Sequence, residues 1–188
     1  GTNGGQDGCI FIGTDAAGNA NFGLGTPTSA CIVIGYEAAQ NFNSGLKQGF
    51  VLVGYQVAKS GAGSGAVIIG NQSSMDTDDT AGAVIIGPSN LTNFTGSASA
   101  SVILGFNHQS IATPGWTANA CYIIGRDNAT EYSDSLIIGY NITNTAGSNT
   151  VHIGSVSQEL GIVTTEVNTS SKYWPVYING TLHKVLLA

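Results

Sequence analysis

The sequence predicts an all-β protein built as a parallel β-roll or β-solenoid, and three observations carry this prediction. A five-residue apolar segment that ends in glycine occurs nine times along the chain. Glycine, Asn, Ser, Thr and Ala supply most of the intervening sequence, as turns require. The composition is 42% hydrophobic but only 9% charged, which suits short buried strands joined by polar turns.

The repeated segment is short, rich in β-branched residues and bounded by turn residues, which indicates a strand. Its closing glycines follow one another at intervals of 14 to 22 residues, and glycine permits a sharp turn there. Strands this short are stable when stacked, because each coil covers the apolar face of the next. The copies occupy residues 9–13, 31–35, 50–54, 66–70, 83–87, 101–105, 121–125, 135–139 and 150–154.

Alternate residues of a strand face opposite sides, and both faces of these strands are apolar. We expect the second and fourth residues of each copy to line the inside of the coil. The middle residue would then form an outward apolar stripe, which soluble monomers rarely expose, so further copies of the chain should cover it around a symmetry axis. This predicted subunit interface comprises Phe11, Val33, Leu52, Ile68, Ile85, Ile103, Ile123, Ile137 and His152.

Several segments resemble a known repeat. Residues 101–105 and 135–139, with Ala38 and Gly61 at spacer positions, are similar to the head repeats of trimeric autotransporter adhesins. The spacers are mostly longer here, and the middle Ala of that family is mostly Ile. The resemblance implies a left-handed parallel β-roll and a homotrimer, either intertwined or side by side.

The C-terminal residues 172–188 resemble the closing hairpin of many bacteriophage structural proteins, and similar repeats occur in phage tail fibres. Asn179-Gly180 between two apolar runs is a signal for a type I′ hairpin turn. We therefore expect residues 1–8 to connect to an upstream fibre and residues 9–156 to form the nine-coil roll. Residues 157–188 should form a cap with a β-hairpin, because an open stack end invites edge pairing.

The charge and the motifs argue against several classes of protein. The chain has only five Lys and Arg and a net charge of −6, so no basic surface for nucleic acid is expected. No apolar run approaches the ~20 residues of a membrane span, so no membrane insertion is expected. No catalytic motif occurs, and the spacing differs from the continuous six-residue period of hexapeptide acyltransferases. We predict that the protein is not an enzyme.

The three cysteines, Cys9, Cys31 and Cys121, all stand at the first position of the repeat. We interpret them as small buried residues interchangeable with Ala or Ser. A Cys9–Cys31 bridge between neighbouring coils is the less favoured alternative.

Two sets of residues could bind metal, although no resident cofactor is expected. His152 at the predicted interface would form a ring of three imidazoles able to hold a metal or an anion. Asp76, Asp78 and Asp79 could supply oxygen ligands to Ca²⁺. The simpler interpretation is a hydrogen-bonded or solvated histidine and a solvated acidic segment.

Aromatic residues in the segments between copies are candidates for receptor contact. Phe94, Trp116 and Tyr132 stand among Asn, Thr, Gly and Ser, as in surfaces that bind carbohydrate or protein. The alternative is that each fills a corner of the roll. Per-repeat insertions often lie on the binding face of a repeat protein.

These observations and resemblances together predict a bacteriophage virion fibre or receptor-binding module, exposed on the virion surface beside other fibre proteins. Its partner would be a bacterial cell-surface receptor, either a glycan or an outer-surface protein. The alternatives are the head of a bacterial trimeric autotransporter adhesin, located on the cell surface, and a structural spacer or decoration fibre without a receptor.

Overall fold

A computed structural model describes most of the repeat and two C-terminal strands. The described residues are 8–18, 30–40, 49–58, 64–73, 81–90, 99–108, 119–130, 132–145, 147–155, 173–178 and 181–186. All of the regular structure in these ranges is β-strand. The strands are β1 (Ile10–Ile12), β2 (Ile32–Ile34), β3 (Val51–Tyr55), β4 (Val67–Asn71), β5 (Val84–Ile86), β6 (Val102–Phe106), β7 (Tyr122–Arg126), β8 (Ala129–Thr130), β9 (Leu136–Tyr140), β10 (Thr143–Asn144), β11 (Val151–Ser155), β12 (Tyr173–Ile178) and β13 (Thr181–Leu186).

The nine repeat strands stack in sequence order as one parallel sheet, which confirms the parallel β-solenoid. Equivalent residues lie opposite each other, so that Val51 pairs with Val67 and Gly54 with Gly70. The same register continues to β11, where His152 pairs with Ile137 of β9. Strands β8 and β10 form a second, two-stranded parallel sheet on another side of the coil.

The face of the strands that lines the inside is the reverse of the predicted one. The middle residues point into the coil, and Leu52 and Ile68 are fully buried. The second and fourth residues point outward, as Tyr122 (53% exposed) and Ile12 (55% exposed) show. The predicted subunit interface therefore belongs to the core of a single chain, with Phe11 of the first coil half-buried. The corrected residues are Phe11, Val33, Leu52, Ile68, Ile85, Ile103, Ile123, Ile137 and His152.

The physical reason lies in the residues that share a face with the middle one. The middle residue shares its face of the strand with the first residue of the copy and with the closing glycine. The first residue is usually Cys, Ala or Ser, so this face carries one large side chain between small ones. A narrow coil has room for one large side chain flanked by small ones, so this face turns inward. Because Cys31 and Cys121 were expected to be buried, Val33 and Ile123 on the same face should have been expected inside too.

The closing glycines are required by a close approach between coils. Gly87 has φ +121°, and a Cβ atom on it would lie 1.7 Å from the carbonyl oxygen of Gly105 in the next coil. The same clash recurs from Gly13 to Gly139. The positive φ confirms the predicted role of these glycines in the turn. The backbone of the neighbouring coil leaves no room for a Cβ atom, so no other residue fits at these positions.

Each coil turns through corners where non-glycine residues adopt left-handed conformations. One corner lies two residues after the closing glycine, for example Gln56 at φ 50° and Asn107 at φ 52°. Another precedes the strand and is occupied by Gly82 (φ 66°) in one coil and Ala100 (φ 54°) in the next. Repetition of the same corners keeps the coils in register.

The C-terminal end of the stack is covered by two more strands. β12 adds in parallel to β11, with His152 opposite Tyr177. β13 then pairs antiparallel with β12, so the chain direction reverses at the last strand of the sheet. Residues 179–180, where the type I′ turn was predicted, lie outside the described residues.

Candidate functional site

The outward side of the strands forms a continuous apolar surface, here called the outer face. It consists of the second and fourth residues of each copy and, in the first eight copies, the residue that follows the closing glycine. Among the described residues, Leu182 is the one exposed large hydrophobic side chain that lies elsewhere. The exposed large side chains of the outer face are Ile10, Ile12, Tyr36, Tyr55, Ile69, Ile86, Phe106, Tyr122, Ile124 and Ile138.

The outer face is large enough for a protein interface. Its three columns are about 6.7 Å apart and its nine coils about 4.8 Å apart, so it covers roughly 20 by 43 Å, or about 850 Å². A standard protein–protein interface buries about 800 Å² on each partner. An uncovered apolar patch of this size is unusual on a soluble monomer.

The outer face is almost free of charge. Arg126 is the one charged residue in its three columns across the nine described strands. Its guanidinium carbon lies 4.3 Å from the centroid of the Tyr140 ring, and its Nε lies 3.3 Å from Asp127 Oδ2. These contacts leave Arg126 compensated rather than projecting as an isolated charge. Along the same column, Tyr36 and Tyr55 stack with ring centroids 5.5 Å apart.

A polar border runs along one side of the outer face, at the corner that follows each closing glycine. Gln56 Nε2 donates to Glu37 Oε2 at 2.6 Å, and Gln72 Nε2 donates to Gln56 Oε1 at 3.2 Å. The hydrogen bond and the charge of Glu37 both raise the pKa of the Tyr36 hydroxyl. An apolar centre bordered by hydrogen-bonded polar groups is the arrangement found in protein interfaces.

The segments between copies join the stack at equivalent points in several coils. The backbone before each segment is bonded coil to coil, as in Ala58 N–H to Ser73 O at 3.0 Å. The backbone after several segments is bonded likewise, as in Ala100 N–H to Ala81 O at 2.8 Å. Six of these segments, five to eleven residues long, lie outside the described residues. They are residues 19–29, 41–48, 59–63, 74–80, 91–98 and 109–118.

One of the three aromatic candidates for receptor contact is described. Tyr132 is half-buried, and its backbone carbonyl accepts hydrogen bonds from Thr130 Oγ1 at 3.1 Å and from the Cys121 thiol at 3.2 Å. These bonds hold its backbone against the stack. Phe94 and Trp116 lie outside the described residues.

His152 lies inside the solenoid, and this overturns the predicted ring of three imidazoles at a subunit axis. The side chain is 3% exposed, and its Nε2 lies 3.1 Å from Thr150 Oγ1. Its ring stacks on Tyr177 at 4.4 Å between centroids. Burial lowers the pKa of His152 to about 4, so the ring is neutral at physiological pH.

The described residues contain no group of three or more His, Cys, Asp or Glu side chains that could hold a metal ion. The predicted Ca²⁺ ligands Asp76, Asp78 and Asp79 lie outside these residues.

A ladder of buried polar side chains runs inside four successive coils, three residues after the closing glycine, and sequence reasoning missed it. Asn90 Nδ2 donates to Gly105 O in the next coil at 3.0 Å, and Asn128 Nδ2 donates to Gly139 O at 2.9 Å. Asn90 Oδ1 accepts the backbone N–H of His108 at 3.2 Å. The recurrence of Ser73, Asn90, His108 and Asn128 at one repeat position was the available signal.

His108 takes part in this ladder through both ring nitrogens. Its Nδ1 accepts the backbone N–H of Asn128 at 3.2 Å, and its Nε2 lies 3.2 Å from Leu104 O. These partners assign the proton to Nε2. Burial lowers the pKa of His108, and its hydrogen bonds offset this only in part.

The cysteines behave largely as predicted. None of the three forms a disulfide bond, and Cys31 and Cys121 are fully buried, whereas Cys9 in the first coil is half-buried. Burial raises the pKa of the Cys31 thiol to about 11 and also raises that of Cys121. Both are therefore protonated and unreactive at neutral pH.

Comparisons of the chain with protein-family models, curated proteins and solved structures find no match. Within the described residues, no helix has the length and apolar character needed to cross a membrane.

Proposed function

We propose that the protein is the attachment module of a bacteriophage surface fibre, which associates with copies of itself and displays its variable segments to a bacterial receptor. The observation that carries this proposal is the apolar outer face, together with the attachment of the variable segments elsewhere on the coil. The outer face is apolar, repetitive and nearly uncharged. The segments of variable length attach at another part of the coil, away from that face.

The outer face suits a second copy of the same chain as its partner. Its columns of Ile and Val repeat at the coil spacing, so ridges on one copy can pack into the grooves of another with the same period. Its area of about 850 Å² meets what a stable interface requires. The near absence of charge removes the desolvation cost that a charged surface would incur on burial.

Three copies are proposed on the strength of the resemblance to trimeric adhesin heads. The residues in contact are those of the outer face, such as Val53, Ile69 and Ile86, instead of the interior residues that the sequence pattern suggested. Three equivalent sites on one rod would strengthen weak individual contacts to a glycan or protein receptor.

The solenoid supplies a rigid base for display. Eight intervals of about 4.8 Å give a rod of roughly 40 Å, held by parallel backbone ladders. The segments between copies, which include Phe94 and Trp116, would then project in register from its side. Their different lengths favour a binding role, because a uniform spacer fibre has no need of them.

The association is tested by light scattering on the purified chain. We expect a mass of three times 19.1 kDa for the wild type and monomers for an Ile86→Glu/Ile124→Glu variant with an unchanged circular dichroism spectrum. Leu182→Glu is the matched control, because Leu182 is also exposed (47%) but lies off the outer face. A monomeric wild type, or equal dissociation in the control, would contradict the proposed interface.

The attachment role is tested by binding of labelled protein to candidate host cells and to a glycan array. Replacement of residues 109–118 or 91–98 by a Gly-Ser segment of equal length should reduce binding while the oligomer persists. Oligomers that bind no cell and no glycan would instead favour the structural spacer. Recovery of the chain joined to a membrane-anchoring domain would favour the bacterial adhesin.

A further inference from the structure

Two histidines are buried in the C-terminal half of the solenoid, with no exposure of His108 and 3% of His152. We propose that His108 and His152 make the C-terminal coils an acid-sensitive segment, which opens at low pH while the N-terminal coils stay closed. The proposal rests on the interior position of the two rings and is independent of the proposed attachment role.

His108 cannot accept a second proton without losing a bond. Its Nδ1 accepts the Asn128 backbone N–H, and its Nε2 faces the Leu104 carbonyl, so the neutral ring satisfies both partners. Protonation would place an N–H on Nδ1 opposite the Asn128 N–H. Two donors would then face each other inside the coil, and the ladder that links these coils would break.

The charged groups around His108 do not remove this penalty. Asp127 is the carboxylate that acts on it from the neighbouring coil, and its charge favours protonation. Asp127 is already engaged by Asn107 Nδ2 at 2.7 Å and by Arg126 Nε at 3.3 Å. Burial outweighs Asp127, so the neutral ring is the stable form in the folded chain.

His152 is enclosed at the last coil. Its ring lies between the Thr150 hydroxyl and the Tyr177 ring. The titratable side chains on the strands that cover this end, β12 and β13, are those of Tyr173, Tyr177, His183 and Lys184, and none of them is a carboxylate. A proton on His152 would therefore add a buried charge that no carboxylate of β12 or β13 compensates.

The interior of the N-terminal coils is different. Val33, Leu52 and Val57 are fully buried there, and the ladder position carries Ala38. The titratable groups inside these described coils are thiols, which stay neutral in acid. Because a solenoid coil contacts only its neighbours, one part of the stack can open without the other.

The direction of the pH effect follows from the lowered pKa values of both histidines. Their stabilising effect is complete above the ordinary value of 6.5 and is lost as the pH falls from 6.5 towards the folded pKa. For His152, with a folded pKa of about 4, the unfolding equilibrium constant should rise by roughly 100-fold between pH 7 and pH 4. His108 should add to this effect.

The repeat itself supplies matched variants that cannot titrate. Asn stands at the His108 position in neighbouring coils and makes equivalent bonds, since Asn128 Nδ2 donates to Ile124 O at 3.3 Å just as His108 faces Leu104 O. Ile stands at the His152 position at Ile137. The test compares the wild type with His108→Asn/His152→Ile, using amide hydrogen exchange at pH 7 and pH 4 corrected for intrinsic rates.

At pH 4, the amide protection factors of β6, β7, β9 and β11 should fall about 100-fold further in the wild type than in the double variant. The protection factors of β2–β4 should be alike in both proteins. His183→Gln, which changes a half-buried histidine of β13, should behave as the wild type. Equal acid sensitivity of the wild type and the double variant would overturn the proposal. If the double variant does not fold, NMR titration of the wild-type imidazoles decides: midpoints near 6.5 in the folded protein would also overturn it.

Discussion

Replacement of Gly87 by Ala should be far more damaging than the loss of one glycine from a turn. The added Cβ would lie 1.7 Å from Gly105 O, whereas ordinary contacts begin near 3.4 Å, so the two coils would have to separate by about 1.7 Å. That movement is about a third of the normal spacing between strands.

The cost can be worked out from the bonds at this point. The Gly87 N–H donates to Ile69 O at 2.8 Å, and Asn90 Nδ2 donates to Gly105 O at 3.0 Å. Each buried group left without its partner costs about 1–3 kcal/mol. Alanine at φ +121° adds about 1–3 kcal/mol of backbone strain. We therefore expect a loss of about 4 kcal/mol or more in the free energy of unfolding.

The assay is urea unfolding followed by circular dichroism, with Gly82→Ala as the matched control. Gly82 lies in the same coil at φ +66°, and a Cβ there would meet nothing within 4 Å, so only the left-handed conformation is penalised. That variant should lose about 0.5–1 kcal/mol. Equal losses in the two variants would refute the close approach of the coils at Gly87.

Three further predictions follow from the ladder, the corners and the thiols. Asn128→Ala should lower the free energy of unfolding by about 3 kcal/mol, because it leaves Gly139 O and the Ile142 N–H unpaired. Denaturant unfolding measures this loss, and a value below about 1 kcal/mol would contradict the ladder. Ala100→Gly should raise the melting temperature and increase the free energy of unfolding by about 0.5 kcal/mol, because glycine adopts a φ of 54° without strain. A lower melting temperature would count against the assigned corner. Cys121 should resist alkylation by iodoacetamide at pH 8 in the native protein and react once urea is added, as mass spectrometry would detect; rapid native labelling would contradict its burial.

Much of the fold was predictable because the repeat is strict. The nine strands, their parallel order and the burial of Cys31 and Cys121 all follow from a single five-residue pattern. Strand spacing and backbone pairing leave few other ways to satisfy nine short apolar segments.

The functional surfaces were less predictable. The sequence pattern identified the parity of the apolar residues but placed Leu52 and Ile68 outside and Ile12 and Ile69 inside, the reverse of the structure. The buried ladder at Asn90 and Asn128 was also missed, because polar residues in a turn are ordinarily exposed.

That the chain coils and stacks could be predicted from the amino-acid sequence, since each strand is too short to be stable without the next. Which face of the strand lies inside became clear from the folded coil alone. The alternation of side chains along a strand sorts them into two faces but does not say which face points inward. The inward face depends on how the corners close the coil. The corners turn toward the face of small residues and glycine, because only that face lets the backbones of successive coils approach closely.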